Sequence, residues 1–179
     1  MSRPRREHAV LLALGLQDRP FRALPEPDRR IAFDRALALR TTAERIGLPT
    51  LIAELDPRSQ GRTLAQLSHD TAFEHRLLSA WSCAELRERL VTLAPRDVVL
   101  FGMETHLTVA HTTEDLLEAG YRVHVVADAC LCRTTDDAER ALHRLDRLGA
   151  WITTTHAVIY SLVDDTRDPV FHELIRSLR

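Results

Sequence analysis

The chain has 179 residues and a formal net charge of −2. That length suits one domain with a full hydrophobic core, and the charge shows no basic footprint for nucleic acid or a membrane surface. All 24 basic residues are arginine, and the chain has no lysine and no asparagine, so no mechanism that needs a lysine amine can operate here.

The three cysteines, Cys83, Cys130 and Cys132, have no zinc-ligand spacing. An odd, unpaired set suits the reducing cytosol better than a disulfide scaffold, so a cytoplasmic location is expected. Met1 to Arg6 is basic, but the apolar run after it is short and has no small-residue cleavage site. Residues 1–8 therefore read as a flexible lead-in to a strand and not as a signal peptide. No segment is long enough to cross a bilayer.

In chain order, Ala9 to Leu14 is a continuous apolar run closed by Gly15, the mark of a buried strand. Asp18 to Pro27 carries three prolines and reads as a loop. Asp28 to Ile46 has apolar residues at helical spacing, ending at Gly47. Pro49 to Leu55 is a second buried strand. Asp56 to Ala72 is polar and reads as a long loop with one helical turn near Leu64–Leu67. Glu74 to Trp81 reads as a short irregular strand. Ser82 and Glu85 form a capping box for a helix over Ala84–Leu93.

Val98 to Phe101 is another buried strand. It runs into Gly102 and a helical pattern from Thr108 to Ala119, so Thr108 is expected at a helix start. Arg122 to Ala127 is a strand, followed by a turn that carries Cys130 and Cys132. Thr134 caps a helix to Leu148, Ala150 to Thr153 is a last strand, and His156–Val163 and Pro169–Leu178 are terminal helices. Strand and helix alternate without an internal repeat or linker. The expected fold is α/β, a doubly wound, mainly parallel sheet of five or six strands with helices on both faces, as one domain over residues 1–179.

The segment Gly102-Met103-Glu104-Thr105-His106-Leu107-Thr108-Val109 is followed by Thr112, Asp115-Leu116-Leu117, Gly120-Tyr121-Arg122-Val123 and Ala127-Asp128-Ala129. This pattern resembles the isochorismatase-like superfamily, which includes cysteine hydrolases and nicotinamidases. The resemblance runs from about Ala9 to Leu178 and is most specific between Gly102 and Thr155. It implies a hydrolase fold whose active members use a cysteine nucleophile at a helix start, an aspartate base and a lysine. Those positions fall on Thr108, Gly15 and His75. None keeps its group, and a threonine hydroxyl needs an adjacent base before it attacks a carbonyl.

Three replacements are open. Asp18 could stand in for the aspartate, although it reads as a solvated loop carboxylate. His75 and Thr108 could form a base–nucleophile pair, but no third residue to orient the imidazole is apparent. Cys130 or Cys132 could be a displaced nucleophile, although both read as packing residues. The resemblance places Met103, Glu104, His106, Leu107 and Thr108 in the turn that shapes an oxyanion site. There Glu104 and His106 mostly hold the turn. A helix start at Thr108 would favour a carboxylate or phosphate. His111, His124 and His143 lie on element faces with no converging carboxylate, and His156 replaces a residue that is often glutamate.

The nicotinamidase-type metal ligands have no counterpart, so neither a metal nor another cofactor is expected. The favoured reading is a catalytically inactive pseudoenzyme with a binding or assembly role and a small, anionic ligand. No nucleic acid or membrane partner is expected, and the resemblance implies a homodimer or higher homo-oligomer. The alternative is a hydrolase of a small amide, ester or enol ether that uses His75 and Thr108.

Overall fold

The structure is a computed structural model that describes residues 3–26, 28–68 and 72–177. Six strands form one sheet: β1 (Ala9–Leu14), β2 (Thr50–Leu55), β3 (Phe73–His75), β4 (Asp97–Met103), β5 (Arg122–Leu131) and β6 (Trp151–Thr153). Their spatial order is β3-β2-β1-β4-β5-β6, and every neighbouring pair is parallel. This is the doubly wound fold that strand–helix alternation leads to. The winding reverses between β1 and β4, which puts a crevice outside the carboxyl ends of those two strands.

Continuous apolar runs become central strands here because helices cover both faces. Side chains alternate between faces along a strand. Leu11, Ala13, Val99 and Phe101 pack with Ala36, Leu39 and Ala43 of α2 (Asp28–Ile46) and with Val158, Ile159 and Leu162 of α7 (Thr155–Leu162). Val10, Leu12, Val98 and Leu100 pack on the other face. Their partners are Leu86 and Leu90 of α4 (Ala84–Leu93), Leu116 of α5 (Ala110–Glu118) and Leu145 of α6 (Thr135–Arg147). Each fully buried leucine or valine contributes about 1.5–3 kcal/mol, so two such layers hold the strand ends in fixed register.

Several local expectations are corrected. The loop after β1 contains a short helix, α1 (Asp18–Arg22). Its Pro20 is tolerated because first-turn amides have no intrahelical acceptor. The long loop after β2 contains α3 (Pro57–Gln60) and also a turn in which Ser68 N–H bonds Leu64 O. Residues 69–71 of that loop lie outside the described residues, as do Pro27 and Leu178. β3 is three residues long and does not reach Trp81.

Ser82 does not cap α4. Cys83 is the N-cap and makes no side-chain cap bond, while Ser82 Oγ donates to Ser79 O. Of the expected lead-in, Arg6–His8 form a turn of 3-10 helix, Arg96 N–H bonds His8 O, and residues 1–2 lie outside the described residues. The last helix, α8 (Pro169–Ser177), follows a turn at Asp168.

The largest departure is in β5. The strand continues to Leu131, and its register to β4 jumps: Leu100 faces Val125, but Gly102 faces Cys130. Four residues, Val126–Ala129, stand opposite the single residue Phe101 and form a bulge beside the crevice. Cys130 is therefore a strand residue and not part of a turn. Asp128 in the bulge accepts from Thr155 N–H at 2.7 Å and from its hydroxyl at 3.0 Å, which ties the bulge to the start of α7.

Candidate functional site

The crevice is bounded by Gly15 after β1, by the turn after β4, and at its edge by His75, the last residue of β3. Gly15, His75 and Thr108 are all buried. Gly15 has φ +58, and a Cβ there would meet Met103 O at 3.6 Å and Gln17 Oε1 at 4.0 Å. Space exists for a side chain, but the residue present offers no proton acceptor. Gly102 is different in kind. A Cβ there would lie 2.0 Å from Leu14 O, so the close approach of β1 and β4 requires a glycine.

Thr108 lies in the first turn of the helical segment, which begins at Thr105 and not at Thr108 itself. A π turn spans Thr105–Val109 before α5, with Val109 N–H reaching Glu104 O. The turn begins at Thr105, and Leu107 N–H is already bound by Glu104 O. Thr108 is the fourth residue of that segment, so its N–H is still among the first-turn amides that lack an intrahelical acceptor. Thr105 Oγ1 donates to Leu131 O at 3.0 Å and locks the turn to the end of β5. Single π turns of this type are frequent at functional sites.

His75 does not pair with Thr108. Its Nδ1 lies 2.7 Å from Leu77 O, so that nitrogen carries a proton and donates it. Its Nε2 is buried and has no hydrogen-bond partner. Burial pushes the imidazole below the usual histidine range, and the bond to Leu77 offsets this only in part. A base–nucleophile dyad is not assembled.

The other replacements fare no better. Asp18 lies in α1 and accepts from Arg22 Nε at 2.9 Å, with its side chain 44% exposed. Cys130 is half-buried, and desolvation pushes its thiol up to about 12, so it stays protonated. Burial also raises the Cys83 thiol. Cys132 is half-buried, with its Sγ 2.8 Å from His106 Nδ1. Glu104, in a left-handed conformation at φ 48, accepts from Arg133 Nε through Oε1 at 3.0 Å.

Sequence reasoning missed two clusters. Gln17 is buried and acts as a clamp: its Oε1 accepts from Leu55 N–H, and its Nε2 donates to Leu55 O and Gly61 O. Beside it, buried Glu54 accepts from Thr63 N–H and hydroxyl and from Arg62. These bonds hold the Glu54 carboxyl below its ordinary range although burial opposes them. Together they pin the loop after β2 over the strand ends. Gln17 was legible as a polar residue closing an apolar strand, whereas its partners were not.

At the other end of the sheet, His124 Nε2 lies 2.8 Å from Asp97 Oδ1, and Arg122 holds Oδ2 at 2.7 Å. This corrects the expectation that His124 has no converging carboxylate. The buried cluster closes the amino-terminal side of β4 and β5, away from the crevice. Arg35 reaches both His156 Nε2, at 3.0 Å, and Asp128, at 3.6 Å.

A cleft of about 800 Å³ opens beside the crevice, between α1, the start of α2 and residues 61–66. Arg22, Arg29, Arg30 and Arg62 stand on its walls, with Phe21 and Phe33 at 5.7 Å from one another and Arg29 over the Phe21 ring. Among the described residues, no helix is long and apolar enough to cross a membrane.

An isochorismatase domain-containing protein 2 from Xenopus laevis is 35% identical over 141 residues, which cover 78% of this chain and 69% of that protein. Isochorismatase domain-containing protein 1 from Danio rerio is 36% identical over 132 residues, 72% of this chain. The match spans about half of that longer relative, 47% of its length. Among solved structures, one described as the MAR1 ribonuclease from Caenorhabditis elegans has a TM-score of 0.90 at 27% identity, covering 99% of this chain and 92% of that one. The YcaC gene product of Escherichia coli, described as an octameric hydrolase of unknown specificity, has a TM-score of 0.91 at 21% identity over 99% and 91% of the two chains. At that identity the likeness is one of fold. The isochorismatase domain pattern itself matches residues 38–157, well over half the sequence, and the chain belongs to the isochorismatase domain family.

Proposed function

We propose that this protein is a catalytically silent member of the family that binds a small anion and assembles with copies of itself. The observation that carries the reading is the state of the corner. At Gly15 there is no carboxylate, at His75 an imidazole bonded to backbone through Nδ1 with Nε2 unpartnered, and at Thr108 a buried threonine that, among the described residues, is not bonded to that imidazole. No lysine exists elsewhere in the chain to supply the missing cation. Without a base, attack by a hydroxyl of ordinary acidity is not activated.

Arg30 on the wall of the cleft supports the anion part of the reading, because a guanidinium fork matches carboxylate and phosphate oxygens, while Arg22, Arg29 and Arg62 beside it are already paired with Asp18, with Glu26, and with Glu54 and Glu74. The octameric description of the Escherichia coli relative supports assembly, as do exposed Leu77 and Leu78 next to His75 and exposed Val91 on α4. Three free thiols fit a reducing cytosol.

The test is a panel of amides, carbamoyl compounds, esters and enol ethers, with single-stranded RNA included because of the Caenorhabditis elegans relative's name. The expected result is no turnover, together with thermal stabilisation by small aromatic carboxylates that is lost in Arg30→Ala. Turnover abolished by both Thr108→Ala and His75→Ala would establish the rearranged hydrolase instead. Native mass measurement is expected to show a homo-oligomer.

A further inference from the structure

The turn after β4 and the end of β5 bring together three donor atoms of different chemistry. Glu104 Oε2, His106 Nδ1 and Cys132 Sγ all lie within 4.8 Å of one another. His106 Nδ1 is 2.8 Å from Cys132 Sγ and 4.0 Å from Glu104 Oε2. The Glu104 atom is buried and has no hydrogen-bond partner, although the other oxygen of the same carboxylate is held by Arg133. A buried carboxylate oxygen without a donor costs free energy unless something else approaches it.

The placement separates two possible uses of these residues. In a nucleophilic triad the thiol and the acid hold opposite nitrogens of the imidazole. Here both face the same nitrogen, so the acid cannot orient the ring for proton transfer to the thiol. Three donors converging on one point is instead the arrangement a metal ion needs. We propose that Glu104, His106 and Cys132 form a site for a zinc-class divalent cation.

Thiolate, imidazole and carboxylate together suit Zn²⁺, a borderline-soft ion. Tetrahedral Zn²⁺ with bonds of about 2.0–2.3 Å sets its ligand atoms roughly 3.3–3.6 Å apart. The sulfur–nitrogen pair must open by less than about 1 Å, and the carboxylate must close by less than about 1 Å on the imidazole and at most about 1.2 Å on the sulfur, which side-chain rotation supplies. Arg133 keeps Oε1 occupied, so Glu104 binds through Oε2 alone. The His106 side chain is 33% exposed, which leaves an entry path and an outward fourth position for water. Binding replaces the Cys132 S–H bond by a Zn–S bond and releases one proton to solvent. The site does not depend on Gly15, His75 or Thr108, so it stands whether or not the corner is silent.

The test uses the full chain, freed of metal by chelation. Titration with Zn²⁺ against a chromophoric chelator is expected to show one equivalent bound. Co²⁺ is expected to give a tetrahedral visible spectrum with a sulfur-to-metal charge-transfer band. Cys132→Ser and His106→Gln are each expected to weaken binding by at least about tenfold, and Cys132→Ser removes the charge-transfer band. Glu104→Gln weakens binding and keeps the band. Cys83→Ser leaves both unchanged. Zn²⁺ is also expected to protect Cys132 from iodoacetamide. Metal-free melting curves confirm that each variant folds. Equal binding by Cys132→Ser and the parent chain overturns the site. So does failure of the parent to bind, with Cys132 alkylated at the same rate with and without metal. Alkylation much faster than that of a free thiol, dependent on His106 and indifferent to metal, would make the pair a reactive thiol and likewise overturn it.

Discussion

Replacing Gly102 with alanine should be among the most damaging single-methyl changes in this chain, and the contrast with Gly15 makes the reasoning testable. A Cβ on Gly102 would stand 2.0 Å from Leu14 O and 2.8 and 2.9 Å from Leu14 C and N. Ordinary contact begins near 3.4 Å, so β1 and β4 must part by about 1.4 Å at that register. An N–H···O bond near 2.9 Å stretched that far is broken. The pair Leu14↔Gly102 closes the ladder between the two central strands β1 and β4, so the bonds at that end are the ones that part. Each buried group left without a partner costs about 1–3 kcal/mol. With φ at +147 adding strain, the total is about 4 kcal/mol or more.

At Gly15 the same methyl meets only ordinary contacts, and the cost is the left-handed conformation alone, about 1 kcal/mol. For a domain of this size 1 kcal/mol is about 2–4 °C in Tm. Urea and thermal unfolding should therefore show Gly102→Ala lowering Tm by roughly 8–16 °C and Gly15→Ala by roughly 2–4 °C. If the two losses agree within about 1 kcal/mol, the account of the close strand approach is wrong.

Other outcomes follow from the same geometry. The buried His75 imidazole titrates below its ordinary range, so its neutral form stabilises the fold. That contribution is fully present above about pH 6.5 and is lost as pH falls through that value toward the lower folded one. His75→Leu should flatten this acid limb in unfolding measured from pH 8 to 5, and an unchanged limb would refute the assignment. Gln17→Ala leaves Leu55 N–H without its acceptor and should cost about 2–3 kcal/mol. Faster amide exchange should be confined to residues 55–63, and global loosening instead would contradict its role as a clamp. The triple variant Gly15→Asp, His75→Lys, Thr108→Cys should gain turnover on at least one amide or ester in the panel. Continued silence would mean that the corner has lost more than three side chains. Asp97→Ala leaves His124 and Arg122 without their shared carboxylate and should cost about 3–5 kcal/mol in unfolding free energy.

The layers of the fold were legible because they rest on local signals. β1 and α2 fall where an apolar run ended by glycine and a helical stripe put them. Gly15, His75 and Thr108 were legible as residues, and the proposed silence of the corner rests on their standing where the resemblance implies an aspartate, a lysine and a cysteine. What the sequence hid depends on partners far along the chain. Ser82 looked like a cap because Glu85 stands three residues on, yet the turn before it draws its hydroxyl back to Ser79. The β5 bulge appears only in its pairing with β4, where Gly102 faces Cys130, a register that no local signal in β5 carries. Cys132 looked like packing because His106 is 26 residues away in sequence, and only the bulge brings them into contact.

The π turn at Thr105–Val109 has one further consequence. It holds one residue more than an α turn, so the helix after it runs about 100° out of phase with the turn before it. The apolar stripe of α5, anchored by Leu116, thus does not dictate the direction of Thr108 or His106. Two sets of residues on one helical segment are free to diverge separately. One is held by the core, and the other answers only to whatever the corner is asked to do. A chain wired in this way can exchange the chemistry of its turn without retuning its core.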